Sequence, residues 1–459
     1  MNNTSVELLS PAGSLKAMRY AYRYGADAVY AGQPRYSLRV RNNEFTHEVL
    51  ADAIVEAHAQ GKYFFVASNI AAHNDKVRTY LRDLEAVIDA KPDALIMSDP
   101  GLIMMVREKW PDIPIHLSVQ ANAVNYAAVK FWQGLGLTRI ILSRELSLKE
   151  VGEIRDACPD IELETFVHGA LCMAYSGRCL LSGYFNHRDS NQGACTNACR
   201  WEYEVQESNE DAWGNITRAD GVLMNPTPVY ETAALEAAVA PKEIVQKART
   251  KTYMLQEKKR QGQWMPIEED DLGTYLFNSK DLRAIQHVDA LIKMGVNCLK
   301  IEGRTKSFYY AARTAQLYRQ AIDDALSNKD FDVTLMDQLE SLSSRGYTEG
   351  FFRRHVHDEY QRYQNRNPTE LSAHQFVGEI EEYDAKTGKA QVLAKNKFFV
   401  GDKVELMLPG GNKMIQLDAI TDLKGNAMQE VPGGGYRVII PLETDTSVED
   451  VKMGLMIRH

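Results

Sequence analysis

Short apolar segments of β-forming residues alternate with segments of helical periodicity along most of the chain. Eight of them are predicted strands: Glu7–Ser10, Ala28–Tyr30, Tyr63–Val66, Ala94–Met97, Ile115–Ser118, Arg139–Leu142, Leu163–Val167 and Cys298–Ile301. The repeated βα order predicts a parallel sheet with right-handed crossovers, and eight units favour closure of that sheet. We therefore expect a (β/α)₈ TIM-like barrel over residues 5–330.

The last two predicted strands are separated by about 130 residues, several times the usual spacing within a βαβ unit. This spacing predicts a large insertion after strand 7, at about residues 170–280. A chain of 459 residues is also too long for one ordinary domain. We expect a helical or linker region at 331–372, and a small all-β barrel domain at 373–459, where short alternating strands lie between glycine-rich turns.

Composition excludes some classes of protein. Hydrophobic residues make up 44% of the chain and charged residues 25%, as in globular proteins. We find neither a membrane-spanning apolar run nor a signal-peptide pattern, and therefore expect a cytoplasmic protein without a membrane partner. The net charge of −9 disfavours nonspecific coating of nucleic acid. A local basic patch remains open at Arg35, Arg39 and Arg41 around Tyr36, although a solvated loop explains that run equally well.

Four of the six cysteines are clustered within the predicted insertion, in the pattern C-x6-C-x15-C-x3-C: Cys172, Cys179, Cys195 and Cys199. A reducing cytosol disfavours disulfides, and four thiolates suit either zinc or an iron–sulfur cluster. Zinc ribbons use tight C-x2-4-C pairs, which only the last pair resembles, so the spacing favours iron–sulfur. Four buried, apolar thiols are the alternative. The remaining Cys158 and Cys298 are predicted to pack in the core.

Residues that directly follow barrel strands line the mouth, where chemistry gathers in (β/α)₈ enzymes. Five of these positions are candidate catalytic residues: Arg144, Glu145, His168, Glu302 and Arg304. Candidate substrate contacts comprise three more of them and the basic run: Tyr30, Asn69, Gln120, Arg35, Tyr36, Arg39 and Arg41. The alternative is that Arg144-Glu145 and Glu302-Gly303-Arg304 pair with one another as structural salt bridges. Since the cysteine segment begins just after His168, we expect the cluster to lie against this mouth.

The stretch from Glu164 to Ser182 reads E-x-F-x-x-G-A-L-C-x4-G-x-C-x-L-S. It resembles the signature of the collagenase-like peptidase family of unassigned catalytic type. The similarity extends along the chain through ELLSPAG, GADAVYAGQPRYSLR, ALIMSDPG, HLSVQANAVN, LKIEGRTKS and RGYTEGF. Within the family, the chain is most similar to members that hydroxylate tRNA.

This resemblance implies a prephenate-dependent enzyme that converts the wobble uridine of tRNA to 5-hydroxyuridine, the first step toward 5-carboxymethoxyuridine. It also implies a 4Fe-4S cluster on the four cysteines, with the iron–sulfur assembly machinery as a partner. From position and charge, Arg304 and Arg144 are expected to bind the carboxylates of prephenate. Tyr30 or Tyr36 would stack on the flipped base, and the arginines of the basic run would meet phosphates of the anticodon region.

Three other functions stay open. One is a peptidase for collagen-like chains, with a cysteine nucleophile and His168 as base, although the sequence shows no assembled nucleophile, base and oxyanion hole. Another is a noncatalytic tRNA-binding scaffold stapled by zinc. The third is a hydroxylase that acts on ribosomal RNA or on a quinone precursor.

Overall fold

The computed structural model describes residues 6–38, 43–171, 281–340, 342, 347–353 and 375–459. It also describes the backbone of five short strands within the insertion. These five belong to a second compact unit, Asn197–Asn278. There Ser208–Glu210 pairs with Ile216–Arg218, and a three-stranded antiparallel sheet consists of Tyr253–Gln256, Trp264–Asp270 and Gly273–Tyr275.

Ten strands precede the C-terminal domain outside that unit: β1 Glu7–Pro11, β2 Ala28–Gly32, β3 Tyr63–Ser68, β4 Ala94–Met97, β5 Ile115–Leu117, β6 Arg139–Ile141, β7 Glu162–Ala170, β8 Asp281–Arg283, β9 Cys298–Ile301 and β10 Tyr347–Thr348. Strands β1 to β7 pair in order, and β9 pairs with both β7 and β1, so eight parallel strands close a barrel. The predicted TIM-like barrel is therefore confirmed. Strand β8 is antiparallel to β7 and continues to β10.

The helices of this region are α1 Leu15–Arg23, α2 His47–Ala59, α3 Asn74–Asp89, α4 Pro100–Lys109, α5 Tyr126–Gly134, α6 Leu148–Ala157, α7 Val288–Lys293, α8 Phe308–Leu326 and α9 Thr334–Glu340. Several begin at a side chain that accepts a hydrogen bond from the first turn, as at Ser14, Asp99 and Ser307. At α6 this becomes a full capping box, made by Ser147 and Glu150. These caps fix where each βα loop ends, and so hold the mouth loops in place.

The C-terminal domain is all β apart from helix α10 at Val448–Lys452. Its strands are β11 Gln375–Asp384, β12 Lys389–Ala394, β13 Phe398–Phe399, β14 Lys403–Met407, β15 Lys413–Gln416, β16 Ile420–Asp422, β17 Ala427–Met428, β18 Glu430–Val431, β19 Arg437–Pro441 and β20 Leu455–Arg458. Eight of them form one antiparallel sheet in the order β15-β14-β20-β11-β12-β19-β16-β17, and β13 pairs with β18. The domain has its own apolar core.

A buried ion pair fastens this domain to the barrel. Arg313 of α8 donates to both carboxylate oxygens of Glu405 of β14, at 2.8 and 3.1 Å, and both side chains are nearly inaccessible to solvent. The hydroxyl of Tyr24 lies 2.9 Å from the Met407 carbonyl oxygen. Met407 and two residues of β20 also pack into the barrel core, so the two domains share apolar contacts.

Among the described residues, no helix is both long and apolar enough to cross a membrane. A cytoplasmic location remains a prediction from the sequence.

The Glu405→Gln variant should be destabilised by about 3 kcal/mol at pH 7, because Arg313 would be left buried without its counter-charge. Burial raises the pKa of Glu405, but Arg313 and then His459 outweigh this and lower it below its ordinary value of 4.5. The ion pair therefore stabilises the fold above pH 4.5 and loses this effect as pH falls through the lowered pKa. Urea denaturation across pH should show the difference from wild type shrinking below that point.

The matched control is Glu382→Gln, which removes a solvent-exposed pair with Lys452 and should change the free energy of unfolding by less than about 1 kcal/mol. Equal effects of the two variants at pH 7 would contradict the role given to Glu405.

Candidate functional site at the barrel mouth

The insertion leaves and re-enters the barrel at one point of the mouth. Ala170, the last residue of β7, is in register with Asp281, the first residue of β8. Because these two ends are hydrogen-bonded neighbours, a long insertion is accommodated without opening the barrel. Gly169 lies between them with φ +108°, and a Cβ there would approach Glu302 Cβ to 2.8 Å, so glycine is required. The predicted ligands Cys172, Cys179, Cys195 and Cys199 lie outside the described residues.

Arg144 clamps the ends of β7 and β9 together. Its Nη1 donates to the Ala170 carbonyl oxygen at 2.7 Å, and its Nη2 donates to Glu302 Oε2 at 2.5 Å. The guanidinium also lies 3.9 Å from the ring centroid of Phe166. The pairing of Arg144 with Glu302 matches the structural alternative stated above. With its donors so placed and only 6% of its side chain exposed, Arg144 is better suited to hold the β7 end than to bind a carboxylate of a co-substrate.

Glu145 points to a local partner instead of Arg144. Its Oε2 accepts a hydrogen bond from the hydroxyl of Ser143, two residues earlier, and the side chain is half-buried. The contact fixes the turn after β6. It gives Glu145 a structural role in the described part of the mouth.

His168 lies in the layer between the barrel and α8. Its Nδ1 is 3.3 Å from the Tyr318 hydroxyl, and its Nε2 is 3.3 Å from the Tyr347 hydroxyl. Tyr318 donates to the Val167 carbonyl oxygen at 2.7 Å and accepts from the Ala284 N–H at 3.3 Å. Since Tyr318 has one proton to donate, we assign Nδ1–H as the donor to Tyr318 and Nε2 as the acceptor from Tyr347.

The surroundings keep this ring neutral. Burial lowers the pKa of His168 to about 3, and the positive charges of Arg283 and Lys306 act in the same direction. Both ring nitrogens are engaged, and the residue is 1% exposed. His168 was predicted to be catalytic, or the base of a peptidase; the geometry instead gives it a structural role.

Two cations flank the ring of Tyr30 at the top of the barrel interior. Lys300 Nζ lies 4.4 Å from the ring centroid, and the Arg304 guanidinium carbon lies 5.7 Å from it. The Tyr30 hydroxyl donates to the Ile301 carbonyl oxygen at 3.2 Å. Tyr30 is therefore a buried floor residue, and the prediction that it stacks on a base does not agree with its 6% exposure.

Below this floor the barrel interior holds a buried charge network. Lys300 Nζ is 2.7 Å from Glu164 Oε1, and Arg139 Nη1 is 3.4 Å from the other oxygen of the same carboxylate. Arg139 also pairs with Glu7 at 2.6 Å, and burial raises the pKa of Glu7 against the lowering effect of Arg139. We did not predict these residues. The available signal was a charge at alternate positions of apolar strands, which places it inside the barrel.

The basic run after β2 is only partly described. Tyr36 is completely buried, donates to Asp83 Oδ2 at 2.8 Å and lies 2.6 Å from the Thr79 hydroxyl, so it cannot stack on a base as predicted. Arg35 is exposed and pairs with the same Asp83 at 2.7 Å, which leaves it near solvent where a phosphate can approach. Arg39 and Arg41 lie outside the described residues.

Asn69 and Gln120 occupy the opposite rim. Asn69 Oδ1 accepts from the Leu38 N–H at 3.2 Å, and its amide nitrogen is 3.4 Å from the Ser118 hydroxyl. Asn69 thus holds the loop after β2 in place. Gln120 follows β5, and its side-chain oxygen is buried without a hydrogen-bond partner. An unsatisfied buried acceptor at the mouth is available to a substrate donor.

Comparison with known proteins agrees with this architecture. The model of Peptidase family U32 matches residues 13–362, and that of the Peptidase family U32 C-terminal domain matches residues 372–458. The tRNA hydroxylation protein P of Escherichia coli is 60% identical over 453 residues, which are 99% of this chain and 96% of that protein. The protein of the same name from Haemophilus influenzae is 58% identical over 96% of this chain and 94% of its own length.

A more distant relative acts on another RNA, according to its name. The 23S rRNA 5-hydroxycytidine C2501 synthase of Escherichia coli is 27% identical over 94% of this chain and 56% of that protein. The resemblance read from the signature around Cys172 is confirmed. Because the main family model spans well over half of the residues and the two similar relatives align along nearly their whole length, this chain belongs to peptidase family U32.

Proposed function

We propose that this chain is a tRNA hydroxylase that converts the wobble uridine to 5-hydroxyuridine in a prephenate-dependent reaction. The observation that carries the proposal is the 60% identity, over 99% of the chain, to a protein named for tRNA hydroxylation. The finer points, which are the target base, the co-substrate and the cofactor, rest on the sequence signature together with the chemistry of the mouth.

Cys172, Cys179, Cys195 and Cys199 would hold a 4Fe-4S cluster. Four thiolates are the donor set that such clusters take, and the segment starts two residues beyond the end of β7. When bound, the cluster supplies one-electron chemistry. The chain's own contribution is to fix both ends of the insertion at the mouth, through the Ala170–Asp281 pairing and the Arg144 clamp.

The mouth offers positive charge for an organic acid and polar groups for a base. Lys300 and Arg304 lie on either side of Tyr30, and guanidinium groups bind carboxylates well. A wobble base must leave its stack to enter the barrel, since modifying enzymes reach bases only after they are flipped out. Gln120, with its buried unpaired oxygen, is the described residue best placed to accept a hydrogen bond from a uracil N–H.

Two alternatives remain to be separated by experiment. The relative named for 5-hydroxycytidine synthesis in 23S rRNA makes ribosomal RNA the competing substrate. A peptidase gains no support from the described residues, since burial raises the pKa of both Cys158 and Cys298 and His168 is enclosed.

The first test is anaerobic purification with iron and sulfide analysis, followed by nucleoside analysis of unmodified tRNA incubated with and without prephenate. We expect about four irons per chain and prephenate-dependent 5-hydroxyuridine. Cys172→Ala should lose both iron and product, while Cys158→Ala, which removes a buried thiol outside the motif, should keep both. Bound zinc without any hydroxylated nucleoside would refute the proposal, and product only in ribosomal RNA would move its target.

A second prediction concerns the clamp. Arg144→Ala should let the cluster escape about 10-fold faster to an iron chelator, as loss of outer-shell support typically does. Loss of visible absorbance with time measures this rate. Lys149→Ala is the control, because that side chain is 85% exposed on the neighbouring helix. Equal rates in the two variants would remove the link between Arg144 and the cysteine segment.

A further inference from the structure

A small vacant space lies over Gly32, the last residue of β2. A Cβ on this glycine would overlap the Ser37 hydroxyl and would lie 2.5 Å from Arg304 Nη1. Gly32 is in register with Ala67 of β3, which is also small. The absence of side chains here leaves Ser37 Oγ and Arg304 Nη1 facing one point at the top of the barrel interior.

The Ser37 hydroxyl is fully buried, and its oxygen has no hydrogen-bond partner. Leaving a buried hydroxyl unpaired costs free energy, so such groups in native proteins call for a reason. The loop that carries Ser37 is not loose. The neighbouring Leu38 is held at both backbone atoms, since its N–H donates to Asn69 Oδ1 and its carbonyl accepts from Arg304 Nη2 at 2.7 Å.

We propose that Gly32, Ser37 and Arg304 form the subsite that binds one carboxylate of a small organic acid. A guanidinium and a hydroxyl that converge on an empty point match the two oxygens of a carboxylate. Lys300, on the other side of Tyr30, adds positive charge from below. The inference rests on the proposed function, because it assigns the acid to the co-substrate of that reaction.

The burial favours a carboxylate over a phosphate of the RNA backbone. Ser37 has no exposed surface and Tyr30 has 6%. A backbone phosphate is flanked by sugars on both sides, and such a chain cannot enter a closed space at the barrel axis. A carboxylate at the end of a small molecule can enter it.

The main test is titration of the holoenzyme with prephenate, phenylpyruvate, citrate and inorganic phosphate by calorimetry. Ser37→Ala should weaken prephenate binding about 10-fold, the effect of losing one hydrogen bond to a charged group. Its melting temperature should be no lower than that of wild type, because the lost hydroxyl had no partner. A structural hydroxyl would give the opposite pattern.

Ser10→Ala is the matched control. Ser10 is also fully buried with an unpaired hydroxyl, but it is in register with Val29 of β2, one residue before Tyr30, and so faces away from the interior. This variant should bind prephenate like wild type. Gly32→Ala, which fills the space, should abolish binding, and Ser37→Ala keeps the test valid even if that variant fails to fold.

The outcomes separate the two proposals. Prephenate binding that is equal in wild type and Ser37→Ala overturns the subsite and leaves the proposed function standing. Ser37-dependent binding of phenylpyruvate or citrate, but not of prephenate, supports the subsite and overturns prephenate as co-substrate. Ser37-dependent binding of inorganic phosphate alone overturns the carboxylate assignment. No binding of any probe by wild type overturns both.

Discussion

Closure of the barrel depends on the pairing of β7 with β9, two strands that the long insertion separates in sequence. Glu164 of β7 accepts charge from Lys300 of β9 and from Arg139 of β6, so one buried carboxylate joins three adjacent strands. A buried ion pair is a weak source of net stability, since desolvation offsets most of the attraction. Its value here lies in register: a slip of one residue would turn Lys300 out of the interior and leave the charge of Glu164 unpaired.

The mouth inherits its geometry from this closure. With the register fixed, Glu302 follows β9 directly beside the end of β7, where Gly169 permits close approach and Arg144 reaches both strand ends. The cations at the top of the interior are therefore held by the same strands that carry the insertion. A shift of β9 would move Lys300, Glu302 and Arg304 together, so the charge pattern and the end of the cysteine segment are mechanically coupled.

Much of this architecture was readable in the sequence, because buried parallel strands are short apolar runs and all eight were found at nearly their observed bounds. The roles of individual polar residues were harder to infer. His168 was assigned to the mouth because it follows the predicted strand, but β7 continues past it, and a register irregularity between Lys300 and Ile301 sets it toward α8. Tyr36 follows a similar logic, since its partner Asp83 is distant in sequence. Ser37 gave no signal at all: its interest lies in the absence of a partner, which only three-dimensional structure reveals.

The polar barrel interior bears on why a family named for peptidases fits a hydroxylase. Barrel interiors are usually filled by branched apolar side chains, whereas here Glu7, Arg139, Glu164 and Lys300 occupy that space. Such groups are costly to bury and do not form a nucleophile and base, since the described histidine nearest the mouth is neutral and enclosed. They do produce a fixed positive field under a small recess, because the uppermost interior charges are Lys300 and Arg304. A field of that kind suits the capture of an anionic molecule from solution more than the polarisation of a peptide carbonyl, which needs donors in line with a nucleophile.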